Sequence, residues 1–447
     1  TLFSLSGEIV AGAFSRYDTS YPQPGWAEQS AEDWWQAAAT SARSLLSDRS
    51  GTVAAVGLCG HMMGCLPVDD RGDALQPSMI HSDTRSERQC ASLARQFGAR
   101  RLYEITGNVV DPHYPLSKVA WLREMAPQVY ARTRFILQSK DYLAFRLTGR
   151  LGITDHSDAS LSAYYDIHRK CWSEELAEAA GAARLLPAVV PSATVIGHVS
   201  AQAAAETGLL QGTPVVIGGG DGSCATVGAG AVQIGDAYNY IGGTSWVSAV
   251  RSEPLIDPEM RLFNVRDLDP EKVNALGTVQ CAGSSLEWFA DQIGTPETAQ
   301  AEVEGRDRFD VIGELALRSP AGARGLVFLP YLMGERATIW DPLARGVYLG
   351  LTLAHTRADL ARATLEGVGY TLASILRVVE EHGQPVTQMR AIGGGAEGAV
   401  WMQILSSIYG RPVAVCQSPS EATSRGAFVA AAIAVGIIGD WSDAAAL

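Results

Sequence analysis

Val215-Val-Ile-Gly-Gly-Gly-Asp221-Gly-Ser223, followed farther along by Tyr240-Ile-Gly-Gly-Thr244-Ser245, is the part of the chain on which the fold turns. An apolar run that stops in glycines reads as a buried strand ending at a loop, the place where α/β proteins put ligands. A carboxylate there can take a proton from a hydroxyl. A Gly-Gly-Thr-Ser turn can offer N–H groups and hydroxyls to phosphate oxygens, so the pair suits phosphoryl transfer. Asp221 has an equally good structural reading, as the cap of the small-residue helix that follows it.

The same strand, glycine loop and helix pattern recurs at Val53 to Cys59 before Gly60, and at Met389 to Ile392 before Gly393. Such alternation predicts α/β layers around a mostly parallel sheet. Tyr238 to Val250 reads instead as two strands around a tight Gly-Gly turn, the opening hairpin of a second domain. The bend is placed in the small-residue stretch Gly228 to Gly235, dividing the chain into residues 1–230 and 231–447. Thr356 with Asp359 supplies a capping box for a helix running to about His382, and Leu360, Thr364, Val368, Leu372, Ile375 and Val379 recur on its core face.

Both ends read as cut. Thr1 to Ala11 looks like a hairpin entered midway, and Trp441 to Leu447 like a capped helix that stops early. The 447 residues are 47% hydrophobic and 19% charged, which allows two or three globular domains. A formal charge of −13 disfavours duplex nucleic acid and anionic membranes as general partners. The 7 cysteines form no Cys-x-x-Cys arrangement and fit a reducing, cytoplasmic setting. Ala427 to Ile438, the longest apolar run, is too short to span a bilayer.

Other motifs carry less on their own. Gly393-Gly-Gly-Ala-Glu-Gly398 formally matches the dinucleotide pattern, but its strand is short and the expected ribose-binding acid is missing, with Glu421 the nearest candidate. A glycine loop still allows adenine or phosphates to approach the backbone. His61 and His81 have no zinc-ligand spacing. Met62 and Met63 are ordinary core-fillers by type, and Asp83 with Arg85 is by default a surface ion pair, although both groups together could also read a polyol.

The order of these motifs is more specific than any one of them. His113-Tyr-Pro-Leu-Ser-Lys118-Val-Ala-Trp121, the Asp221 loop, the Gly243-Thr244 turn, Leu329-Pro-Tyr-Leu-Met-Gly-Glu335-Arg, Gly346 to Leu351 with His355 and Glu366, and Gly393-Gly-Gly together resemble the FGGY carbohydrate kinases over nearly the whole chain. The resemblance implies a two-domain sugar kinase/actin-like (ribonuclease H-like) α/β fold with an interdomain cleft. It implies an ATP-dependent kinase using Mg2+, with Asp221 as general base and as the carboxylate nearest the metal. The sugar-facing positions become His61, Met62, Met63 and Asp83, and the nucleotide positions Gly243, Thr244, Ser245, Gly283, Ser284, Gly394 and Gly395.

The family's first phosphate loop, of Asp-x-Gly-Thr type, is expected ahead of Thr1. Xylulokinases often carry Gln and His where this chain has His61 and Met63. A ketopentose such as D-xylulose is the favoured substrate. Gly334-Glu-Arg-Ala-Thr-Ile-Trp340-Asp keeps gluconate open, with a polyol as a further alternative. A sugar or nucleotide sensor without catalysis, and a dehydrogenase, are the competing classes. Exposed helices such as Thr356 to His382 leave room for a homodimer.

Overall fold

Strand Pro214–Gly220 is apolar as far as Ile217 and then runs out in glycine. Val215, Val216 and Ile217 are fully buried because the strand is the middle one of three, antiparallel to Val195–His198 and parallel to Val56–Gly60. This parallel register sets Gly219 beside Cys59 and Gly220 beside Gly60. The His61 to Met63 loop and Asp221 therefore leave the sheet at the same edge. The computed structural model describes residues 1–47, 52–383 and 385–446.

The second sheet has 6 strands, in the order Phe263–Arg266, Val273–Val279, Ser245–Arg251, Ala237–Ile241, Met389–Ile392 and Val413–Val415. The expected hairpin is present as Ala237–Ile241 paired with Ser245–Arg251. Only the pairs joining Met389–Ile392 to its neighbours are parallel. The expectation of a mostly parallel sheet is thus corrected to mixed sheets, because each hairpin imposes an antiparallel neighbour.

Helix Arg357–Glu381 begins with the expected capping box, in which the Thr356 N–H donates to Asp359 Oδ2 at 2.8 Å. It lays Leu365, Val368, Leu372, Ile375 and Val379 into the core over this sheet, while Leu360 stays partly buried. Fully burying each such side chain contributes roughly 1.5–3 kcal/mol.

Helix Asp221–Gly228 and helix Ala422–Ala434 cross backbone to backbone. A Cβ on Gly228 would lie 1.7 Å from the Ala422 carbonyl oxygen, and one on Gly426 would lie 2.0 Å from that of Cys224. Glycine is required at both positions. Cys224, Val227, Ala427, Val429 and Ala430 form the small core around the crossing. At the N-terminus Leu2–Phe3 pairs antiparallel with Ile9–Ala11. At the other end Trp441–Ala446 is a short 3-10 turn, and Leu447 lies outside the described residues.

Candidate active site

Asp221 is the first residue of its helix, and Gly220 is the N-cap. The capping reading is partly right, since Asp221 Oδ1 accepts the Gly222 N–H at 2.8 Å. Among the described residues no cation pairs with this carboxylate. Burial raises its pKa to about 6, opposed only by backbone N–H donors. A carboxylate tuned toward neutrality without a counter-charge is suited to accept a proton.

Met62 fills the space beside it. The side chain is buried, with Sδ 2.5 Å from where a Cβ on Gly220 would sit, so only glycine lets the two strand ends meet this closely. Met63 is half-buried and adopts a left-handed φ of 63°, rare for a residue with a side chain. Lys118 holds it there. Its fully buried Nζ donates to the Met63 carbonyl at 3.0 Å and to the Ile80 carbonyl at 2.6 Å, clamping two loops together. Burial lowers this lysine to about 8.

His61 stacks edge-on against Trp34 at 5.3 Å and His81 at 6.0 Å, and neither ring nitrogen has a hydrogen-bond partner. Burial, then His81 and Lys118, lowers its pKa to about 4, so the ring is neutral near pH 7. Asp83 is not the surface ion pair that its residue type suggests. The ion pair with Arg85 exists at 2.6 Å, but the two side chains are only 0% and 1% exposed. Arg85 lies 3.6 Å over the Trp26 ring and 5.2 Å from that of Trp121. With Ala27 N–H also donating to Asp83 at 2.7 Å, both carboxylate oxygens are occupied, so the residue is a buried brace of the loop rather than a surface pair.

At one edge of the six-stranded sheet three glycine turns converge. The N–H groups of Ala282, Gly283 and Ser284 donate to the carbonyls of Gly243, Gly242 and Gly243 at 2.9, 2.8 and 3.1 Å. Gly393 and Gly395 pack on Ile241 just ahead of that turn. Gly243, Thr244 and Gly394 are exposed, and the hydroxyls of Thr244 and Ser284 make no hydrogen bond within the described residues. These are the groups open to a phosphate. Three members of the expected set contribute differently: Ser245 is buried, its hydroxyl closing the hairpin on the Tyr240 carbonyl, and the N–H groups of Gly283 and Ser284 are already engaged. Residues Gly394–Glu397 form a 3-10 turn, and helix Ala399–Tyr409 begins only after it, so the helix does not open at the second glycine as in the dinucleotide pattern.

Tyr238, which sequence reading missed, links the two parts of the site. Its O–H donates to the Gly222 carbonyl at 3.0 Å, and Trp246 Nε1–H donates to Tyr238 at 2.8 Å while its ring stacks on Tyr240 at 3.9 Å. The hairpin that carries the Gly242–Thr244 turn is thereby tied to the helix that carries Asp221. An aromatic inside a strand run gave no sign of this, since core packing explains it as well.

No group of three His, Cys, Asp or Glu among the described residues is arranged to hold a metal, and none of their helices is long and apolar enough to cross a membrane. Residues 1–228 match the N-terminal domain of the FGGY family of carbohydrate kinases, and residues 237–435 match its C-terminal domain. The chain is 32% identical to a xylulose kinase of Escherichia coli over 92% of its length and 82% of that protein. It is 31% identical to a gluconokinase of Bacillus subtilis over 98% of its length and 85% of that protein. The fold superposes on the ligand-bound xylulose kinase of Lactobacillus acidophilus with a TM-score of 0.91, at 24% identity, over 99% of this chain and 88% of that one. These matches set aside the dehydrogenase reading. The chain belongs to the FGGY family of carbohydrate kinases, two-domain α/β phosphotransferases that take a sugar and ATP as small-molecule partners.

Proposed function

We propose that this chain transfers the γ-phosphoryl group of ATP to a hydroxyl of a ketopentose such as D-xylulose, with Asp221 as the general base. The uncompensated Asp221 carboxylate, raised to about 6 at the edge shared with the His61 to Met63 loop, carries the reading. In this account residues 1–230 bind the sugar and residues 231–447 bind the nucleotide. His61, Met62 and Met63 shape the sugar side, and Asp83 acts by fixing Arg85. Gly243, Thr244 and Gly394 face the phosphates, with Ser284 presenting its hydroxyl. Ser245, Gly283 and Gly395 hold the shape of those turns.

Mg2+ usually keeps several waters and needs only one or two carboxylates beside the substrate's phosphates. The donor set fits such an ion, because Asp221 is a carboxylate with no cation beside it among the described residues. When bound, magnesium would neutralise charge on the phosphate oxygens. The protein's own part is to orient the hydroxyl, accept its proton at Asp221 and keep water away from the phosphate.

An ATP-consumption assay over ketoses, aldoses, polyols and sugar acids tests the substrate. D-Xylulose is expected to give the highest kcat/KM. Gluconate is the specific competitor, supported by the similarity to the Bacillus subtilis gluconokinase over 98% of the chain, and a higher value for gluconate would displace the ketopentose. A sensor without catalysis is not favoured by kinship to named kinases.

The pH dependence follows from the same carboxylate. The base works only when ionised, so kcat/KM should fall about tenfold per unit on the acid side of the Asp221 pKa, which is about 6. His61, lowered to about 4, contributes nothing to this limb. A rate profile that stays flat down to pH 4.5 would rule out Asp221 as the titrating base.

A further inference from the structure

Behind the strand that leads to Asp221 lies a buried charge cluster with no part in the chemistry described above. Lys140 Nζ is 2.7 Å from Asp141 Oδ1, 3.0 Å from Asp155 Oδ1 and 3.1 Å from Asp158 Oδ2, with all four side chains at 0% or 1% exposure. One lysine cannot neutralise three buried carboxylates, and burial raises both Asp141 and Asp158 toward their protonated forms. Asp155 differs: burial opposes its charge, but Lys140 and the hydroxyls of Ser157 and Ser192 outweigh it and keep this carboxylate ionised.

Both serines aim at Asp155 Oδ2, Ser157 Oγ–H at 2.6 Å and Ser192 Oγ–H at 2.8 Å. Each also grips the glycine run just ahead of the base. The Gly220 N–H donates to Ser157 Oγ at 2.9 Å, and the Gly218 N–H donates to the Ser192 carbonyl at 3.0 Å. The grip falls where it is needed, since the pairing of this strand with Val56–Gly60 shifts register between Val216 and Gly219. Three consecutive glycines at an irregular strand end have little of their own to hold them in place.

The geometry points to Asp155, acting through Ser157 and Ser192, as the positioning residue that aims the Asp221 carboxylate at the acceptor hydroxyl. An anionic acceptor fixes which way both hydroxyls point, because charge-assisted hydrogen bonds are short and strong. Lys140 keeps that acceptor charged. Displacing a catalytic group by about 1 Å can cost on the order of 100-fold in rate.

The inference rests on Asp221 being the base, so the test is a double-mutant cycle. Ser157→Ala is made alone and together with Asp221→Asn, and kcat, both KM values and the melting temperature are measured. Ser157→Ala alone should lower kcat about 10- to 100-fold while the KM for ATP moves less than about threefold. In the Asp221→Asn background the same change should cost less than about twofold, because no base remains to be misaimed. An equal loss in both backgrounds, or a folded Ser157→Ala enzyme with unchanged kcat, overturns the assignment. If Ser157→Ala does not fold, Asp155→Asn taken through the same cycle decides the matter by the same two outcomes, since Ser192 meets Gly218 through a backbone carbonyl that no side-chain change removes. Full activity of Asp221→Asn by itself would instead remove the base reading beneath it.

Discussion

Asp221→Asn is expected to lose about 100-fold or more of the turnover and, at the same time, to melt at a higher temperature than the wild type at pH 8. The loss follows from removing the proton acceptor while keeping the shape, since an amide can still accept the Gly222 N–H that now meets Asp221 Oδ1. The gain follows from linkage. Burial raises the folded-state pKa from 3.8 to about 6, so the stabilising form is the neutral one. That contribution is complete below about pH 4, fades as pH rises through about 6, and is absent at pH 8. Ionisation at pH 8 therefore costs at most about 3 kcal/mol, at 1.36 kcal/mol per pKa unit. Asparagine avoids this cost, and the difference in melting temperature should close again near pH 4. Calorimetry at pH 8 and pH 4 beside an ATP-consumption assay reads both effects. A variant that turns over normally, or that melts lower at pH 8, contradicts the assignment.

Lys140→Met should be strongly destabilising, because it removes the only cation, among the described residues, within 3.1 Å of three buried aspartates. Breaking a buried ion pair from one side typically costs about 3–5 kcal/mol, because the remaining charge is left uncompensated. Here the lysine faces three aspartates, all within 3.1 Å. Asp158→Asn should be far milder, since burial already favours the protonated form of that residue. Urea denaturation of the two variants gives the comparison. A Lys140→Met protein within about 1 kcal/mol of wild type would show that the cluster is not held together by its single cation.

The parts of the fold and the site that could be read from sequence are those whose meaning is local. Asp221 after its glycines, the Gly242–Thr244 turn and the Thr356–Asp359 box declare themselves within a few residues, and each stands where such a pattern leads one to expect. What escaped depends on partners far along the chain. Nothing near Asp83 says that Trp26 and Trp121 will enclose Arg85, and nothing near Ser245 says that its hydroxyl will turn inward to Tyr240. Asp155, Ser157 and Ser192 look like ordinary turn residues until the fold brings them behind Gly220. The mixed sheet was missed for a related reason. A run of apolar residues indicates a strand but carries no direction for its neighbours.

The crossing of Asp221–Gly228 with Ala422–Ala434 sets an order of events during synthesis. The segment that supports the Asp221 helix is separated from it by some two hundred residues of chain, and long-range contacts form late. While the ribosome is still making the second sheet, the face of the Asp221 helix carrying Cys224 and Val227 lacks the cover that Ala427, Val429 and Ala430 later give it. The nascent chain therefore has its His61 to Met63 loop before it has a firmly seated Asp221 helix. The Asp221 helix is seated only when Ala422–Ala434 has emerged and docked, and until then its less covered face is a place for a chaperone to hold or for misfolding to begin.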